Sequence, residues 1–332
     1  PELAATLGAI ADHGAGAFYE GEIAERIVAA TRRAGGFLTT ADLASHRSTW
    51  VEPIAVDYGG LRVHEMPPPT TGIAALMMLG RLAGEDLGSL DPLGAERVHL
   101  EVEAKRHAFA ELHEHVGDPE FVDVPVAQML ARACAPRGGP ERAPAGRGSG
   151  DTTYLCAVDR AGNGCSFISS LYKSFGSGVV APDTGVCLHN RGFGFTLEPG
   201  HPSALAPGKR PLHTIIPALV TRAGGLWAVL GNMGGLMQPQ GHAQVLANLH
   251  DFGMSPQAAV EHPRHFHDRG VLLVEARMPE REVARLRGWG HSVEVGPAYA
   301  TQTGGAQVVR VLGDGVRAAG SDPRKDGCAL AQ

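Results

Sequence analysis

Asp151-Thr152-Thr153 is the point in this sequence where residue type and setting together suggest covalent chemistry. The triplet heads a strand-like segment and directly follows Ala135 to Gly150 (APRGGPERAPAGRGSG), a run with no aliphatic side chain larger than Ala. Such a run cannot anchor in a core and is expected to lie exposed, as a linker over 135–150. A self-cleaving peptide needs this arrangement, because a hydroxyl must be able to reach the carbonyl ahead of it. Once freed, a leading threonine holds a nucleophilic hydroxyl together with its own α-amine, which has a pKa of about 8 and can act as general base at neutral pH. The bland alternative is that Thr-Thr opens a strand by β propensity alone.

Leu230-Gly231-Asn232-Met233-Gly234-Gly235 follows an apolar strand and precedes a helix, so its backbone N–H groups are candidates for holding a developing oxyanion. A tight strand-to-helix turn is the plain reading of the same residues. No Gly-Lys-Ser/Thr closes it, and none closes Gly208-Lys209-Arg210, so neither is a phosphate loop. Ser174 to Gly178 reads as a turn. His262, His265 and His267 cluster near Arg264 and Asp268, but their spacing fits no standard zinc pattern, and they are read as structural. His113-Glu114-His115 is set aside because residues i and i+2 of a helix do not face each other. No metal or other cofactor is expected.

The elements that must position these residues follow from periodicity. A helix is expected over Glu22–Arg33, ended by Gly35-Gly36, and a short capped helix at Thr40 to Leu43. Ile54 to Val56 and Leu61 to Val63 flank a hairpin turn, and helices are expected over Ile73–Leu82 and from about Gly94 to His115. Beyond the linker the pattern turns to strands: Tyr154–Val158, Cys165–Leu171, Gly185–Leu188, Thr214–Val220, Trp227–Leu230, Val271–Val274 and Gln307–Val311. Helices are interspersed near Gly241–Phe252, Ser255–Glu261 and Glu280–Arg287. With 332 residues, 43% of them apolar, the chain can bury a substantial core. A net charge of -6 without a basic patch argues against nucleic acid, and no apolar run approaches the ~20 residues of a membrane-spanning helix. The five cysteines are scattered and contain no CxxC, which argues against a disulfide framework.

In order along the chain, the segments 18–24 (FYEGEIA), 34–43 (AGGFLTTADL) and 67–72 (PPPTTG) resemble the large-subunit half of the γ-glutamyltransferase family. Those at 151–153 (DTT), 159–163 (DRAGN), 175–178 (FGSG), 207–212 (PGKRPL), 234–235 (GG), 262–264 (HPR) and 321–324 (SDPR) resemble its small-subunit half. The resemblance implies an α/β fold, the four-layer αββα sandwich of N-terminal nucleophile hydrolases. It is built from two subunits cut from one precursor: residues 1–151, mostly helical, and 152–332, together one structural domain. It further implies cleavage between Asp151 and Thr152, Thr152 as nucleophile, Ser170 as a supporting hydroxyl, and Gly234 and Gly235 as oxyanion donors. The subunits are expected to stay associated after the cut, with further dimerisation left open.

At the places where the family grips a glutamyl α-ammonium, this chain has Gly194, Arg191 and Tyr172; where it has a Ser-Ser pair for the α-carboxylate, this chain has His213-Thr214. An ammonium would meet no carboxylate there, whereas Arg191 suits a substrate carboxylate bound bidentately, an ordinary surface or structural salt bridge being the plain alternative. With a short segment between Phe195 and Pro207, the pattern resembles the acylase-like branch. The expected substrate is an amide whose acyl group bears a distal carboxylate, such as glutaryl, with water or an amine as acceptor. A true γ-glutamyl hydrolase and an uncleaved, silent binding or assembly protein are the alternatives. Bulky Leu236 directly after the two glycines is expected either to narrow the pocket or to mark a degenerate member. The chain is read as truncated at its N-terminus, which leaves the compartment open, with cytoplasm favoured over periplasm.

Overall fold

The computed structural model of the chain describes residues 1–133, 150–313 and 315–331. It begins with helices α1 (Glu2–His13), α2 (Gly16–Tyr19), α3 (Glu22–Arg33) and α4 (Thr40–Ala44), followed by a hairpin of β1 (Ile54–Tyr58) and β2 (Leu61–Glu65). Helices α5 (Gly72–Leu82), α6 (Ala95–His115) and α7 (Val126–Arg132) come next, then strands β3 (Gly150–Val158) and β4 (Gly164–Lys173). Two short strands, β5 (Val180–Ala181) and β6 (Val186–Cys187), precede β7 (Ala218–Arg222) and β8 (Gly225–Met233), which leads into α8 (Met237–His250). The chain then forms α9 (Pro256–Glu261), β9 (His265–Asp268), β10 (Val271–Glu275), α10 (Glu280–Gly288), β11 (Ser292–Gly296), β12 (Gly305–Val311) and β13 (Arg317–Ser321).

Two compact units result, Pro1–Val51 with Leu171–Arg191, and Glu52–Ser170 with Gly192–Gln332. Each draws residues from both sides of Asp151-Thr152. In the first unit, α3 buries the stripe Ala24, Ile27, Val28 and Ala30, and Ile27 and Ala30 pack with Ala181 of β5. Helix α4 starts on a capping box in which Thr39 and Asp42 satisfy each other's backbone N–H.

The second unit is built on a six-stranded antiparallel sheet of order β1-β2-β7-β8-β12-β13. Strand β8 lies inside it and is buried from Trp227 to Met233, which explains the apolar run Trp227 to Leu230. Successive residues of a strand point to opposite faces. A side chain at Gly231 would collide with the Tyr154 ring on β3, and one at Gly241 of α8 would collide with Asn232. Helix α8 therefore covers one face of the sheet beside α5, and the β3–β4 pair covers the other. Helices, large sheet and second sheet form the α/β sandwich expected of an N-terminal nucleophile hydrolase. The outer face of β3–β4 carries exposed Leu155 and Phe167, so the described residues supply no helical layer there. A third sheet, β11-β10-β9, packs Leu272 and Val274 against Val98 and Val102 of α6.

Two boundaries moved for backbone reasons. Helix α8 begins at Met237, four residues before the expected Gly241, because Pro239 lies in the first turn, where no N–H is required. Strand β7 begins at Ala218 and not at Thr214; Pro217 just before it has no N–H to give a ladder. The linker read over 135–150 lies outside the described residues apart from Gly150, which opens β3. Among the described residues no helix is long and apolar enough to cross a membrane.

Candidate active site

Strand β3 alternates, so that Thr152 and Tyr154 face the large sheet and are buried while Thr153 and Leu155 are exposed. Thr152 retains 8% exposure, and its Oγ1 donates to Ser170 Oγ on β4 at 3.0 Å. The two hydroxyls expected to work together are thus in contact. Tyr154, two residues on, shares a 2.7 Å hydrogen bond with Ser166 Oγ, and burial pushes its phenol far above the usual range, so it stays neutral. Burial also raises the Cys156 thiol to about 11, which leaves that neighbour protonated and unreactive at neutral pH.

Gly234 and Gly235 join β8 to α8. Their φ angles of +123° and +62° are ones that side-chain-bearing residues rarely adopt, which is why the turn needs glycine. Met237 N–H donates to the Gly234 carbonyl at 3.2 Å, and Gln238 N–H to that of Gly235 at 3.1 Å. With both carbonyls turned into the helix, the two N–H groups sit at the positive end of a 14-residue helix. Thr152 and Met233 line one cavity of about 350 Å³, bordered also by Gln307 and by the segment from Lys325 to Leu330. Leu236, directly after the two glycines, is half-buried and packs against the main core.

Behind the glycine turn lies a buried polar cluster whose role the sequence did not reveal. Arg264, fully buried, pairs with Asp322 and donates to Asn232 Oδ1 at 2.8 Å and to the Thr303 carbonyl at 3.1 Å. Arg324 donates to both oxygens of Glu275, at 2.5 and 2.6 Å, and to Asp322 at 3.0 Å. Burial works to raise the Glu275 carboxyl, but its bonds from Arg324 and Arg277 outweigh that and hold it below the usual range. Asn232 N–H donates to His242 Nε2 at 3.2 Å, and His242 Nδ1 meets Glu65 Oε1 at 2.6 Å. Burial raises Glu65, partly offset by His242. The motifs HPR and SDPR are thereby explained as a scaffold for the end of β8. Charged residues between apolar segments were the available signal, but nothing in their spacing said that they meet.

His213 and Thr214 line up with the PPPTTG loop: His213 N–H donates to the Pro69 carbonyl at 2.8 Å, Thr71 N–H to that of His213 at 2.9 Å, and Thr214 is buried. Tyr172 and Arg191 belong to the first unit, where the guanidinium lies 4.4 Å from the centre of the Tyr172 ring. Tyr172 holds a φ of +79°, a strained value for a tyrosine. Burial lowers Arg191 to about 10, so it is still a cation at neutral pH. The three clustered histidines all engage protein groups. His265 Nε2 lies 3.3 Å from Glu101, His267 Nδ1 lies 3.4 Å from Lys105, and His262 Nδ1 lies 3.2 Å from the Pro263 carbonyl. Among the described residues Glu111, Glu114 and His115 do approach one another, a grouping at helical spacing that the i, i+2 argument passed over, but Arg132 already reaches Glu111 at 3.4 Å.

The family profile described as Gamma-glutamyltranspeptidase matches residues 1–332. The "Glutathione hydrolase-like YwrD proenzyme" of Bacillus subtilis (strain 168) is 37% identical over 344 residues, covering 99% of this chain and 65% of its own length. The "Oxamate amidohydrolase proenzyme" of Klebsiella pneumoniae is 36% identical over 348 residues, covering 99% and 64%. A solved structure of cephalosporin acylase from Bacillus halodurans superposes with a TM-score of 0.90 at 38% identity, covering all of this chain and 62% of that one. The chain therefore spans just under two thirds of the length of each of these relatives.

Proposed function

We propose, for a chain that belongs to the gamma-glutamyltranspeptidase family, that the complete protein is a self-processing amidohydrolase in which Thr152 is first the cleaving residue and then the nucleophile. The observation that carries this reading is the 3.0 Å contact between Thr152 Oγ1 and Ser170 Oγ at the buried head of β3. In processing, Thr152 Oγ1 adds to the Asp151 carbonyl carbon, the Asp151–Thr152 C–N bond breaks as an ester forms, and the hydroxyl proton goes to the departing nitrogen. Water then hydrolyses the ester, leaving the Asp151 carboxylate and a free Thr152 α-amine. In turnover that amine takes the proton from Oγ1 as it attacks an amide, and returns it to the leaving amine. Gly234 and Gly235 N–H groups bind the oxyanion, and water or an amine takes the acyl group from Oγ1.

Pairing supports the two pieces staying together after the cut. Arg62, Val63 and His64 of β2, which precede Asp151, pair with Thr221, Val220 and Leu219 of β7, which follow it. The acyl group is read as one bearing a carboxylate but no α-amine. Arg191, with no acid among Gly194, Arg191 and Tyr172, supports this, as does the name of the Klebsiella relative, since oxamate is an amide carrying a carboxylate and no α-amine. A γ-glutamyl substrate is the second reading, favoured by the Bacillus subtilis relative's name.

Intact-mass measurement of the complete protein tests the reading directly. Two fragments are expected, the smaller beginning at Thr152; a folded protein that stays in one piece refutes it. Faster release from a γ-glutamyl than from a glutaryl p-nitroanilide would select the second substrate.

A further inference from the structure

The Met233–Gly234 peptide carries the Met233 carbonyl on one edge and the Gly234 N–H on the other. A peptide unit is planar, so whatever fixes the oxygen also fixes the direction of the N–H. The oxygen is held tightly. Asn232 Nδ2 donates to it at 2.8 Å, and Gly304 packs so close that a side chain there would collide with it. Asn232 is held in turn from three sides. Arg264 Nη1 donates to its Oδ1, Gly241 of α8 presses on its side chain, and its own N–H donates to His242 Nε2. Since Nε2 accepts there, the His242 proton sits on Nδ1, where it donates to Glu65 Oε1.

We propose that Asn232 is a positioning residue: through the Met233 carbonyl it sets the direction of the Gly234 N–H, and the buried Arg264–Asp322 and His242–Glu65 pairs hold Asn232 to that task. The inference rests on reading Gly234 as an oxyanion donor, and it assigns a function to an ion pair and a histidine–carboxylate hydrogen bond that otherwise look purely structural. Turning one donor away weakens binding of the transition state more than binding of the amide itself. The signature is a loss in kcat with little change in KM.

Asn232→Asp is the variant to test in the complete protein. It keeps an acceptor for Arg264 but sets a carboxylate oxygen against the Met233 carbonyl, which turns the peptide. On glutaryl and γ-glutamyl p-nitroanilides, kcat is expected to fall about 10- to 100-fold with KM within about twofold of the parent. Asn232→Ser, which no longer reaches the carbonyl, should fall in the same direction. Cooperative melting and the two expected fragments establish that each variant is folded and mature. A folded, mature variant with parental kcat, or one losing activity through KM alone, overturns the proposal. Thr152→Ala separates the underlying reading: turnover in that variant would remove the nucleophile itself, whatever Asn232 does. Should neither Asn232 variant mature, the crystal structure of the parent with an alkylboronate carrying a distal carboxylate decides. The adduct oxygen is expected on the Gly234 N–H with Met233 O still on Asn232; a Gly234 N–H facing away from the adduct overturns the proposal.

Discussion

Ser170→Ala tests the catalytic geometry with the smallest change. Thr152 Oγ1 donates to Ser170 Oγ at 3.0 Å, and Thr152 is almost wholly buried, so this contact holds its hydroxyl in one orientation. A net hydrogen bond of this kind is worth about 0.5 to 1.5 kcal/mol. Releasing a threonine side chain among three staggered rotamers costs up to about 0.6 kcal/mol more in orientation. Together these amount to about 1 to 2 kcal/mol, or about a 5- to 30-fold slowing of any step in which Oγ1 attacks, at 1.36 kcal/mol per tenfold. Both self-cleavage, followed by intact mass over time, and p-nitroanilide release by the mature enzyme should slow by that factor. The melting temperature should stay within a few degrees, because only one hydroxyl is lost. Ser169→Ala, on the exposed face of the same strand, is the control and should change neither rate. Parental rates in Ser170→Ala, or slowing by the same factor in the control, would refute the argument.

The buried scaffold and the charges around the site give further expectations. Asp322→Ala removes the anion shared by Arg264 and Arg324 and should cost about 3 to 5 kcal/mol by urea unfolding; a loss below 1 kcal/mol would show that the pairs are not needed. Burial lowers His262, His265 and His267 from 6.5 to about 4, 3 and 2. The unfolded chain therefore binds these protons first, and stability should be fully present above pH ~6.5 and fall as pH drops towards ~4 and below. Urea midpoints measured across that window should show the fall, and His265→Gln should make it shallower; an unchanged slope would refute the assignment. Arg191→Gln exchanges a charge-assisted bond for a neutral one and should reduce turnover of a carboxylate-bearing p-nitroanilide by about 10-fold or more. An equal effect on a substrate lacking the carboxylate would argue for a merely structural arginine.

Local features of the sequence determined most of the elements. The 3.6-residue stripe of Glu22–Arg33, the Gly59-Gly60 turn between β1 and β2, and the apolar run of β8 are each decided by neighbours a few residues away, and they appear where expected. The family was legible for the same reason, because its motifs are short and keep their order. Thr152 stood out because a leading threonine can hold both a nucleophile and a base. Weaker local signals failed: His265–Asp268, Ser292–Gly296 and Arg317–Ser321 are strands only because partners on other strands complete their ladders. Tertiary structure alone decided what surrounds Thr152. Folding brings Ser170 onto Thr152 from 18 residues away, seats Tyr154 on Gly231, and gathers Glu65, Asn232, His242, Arg264 and Asp322 behind a two-glycine turn. Buried charges are stable only when they meet opposite charges and donors, and pairing across 58 or more residues, as for Arg264 with Asp322, leaves no periodic trace in the sequence.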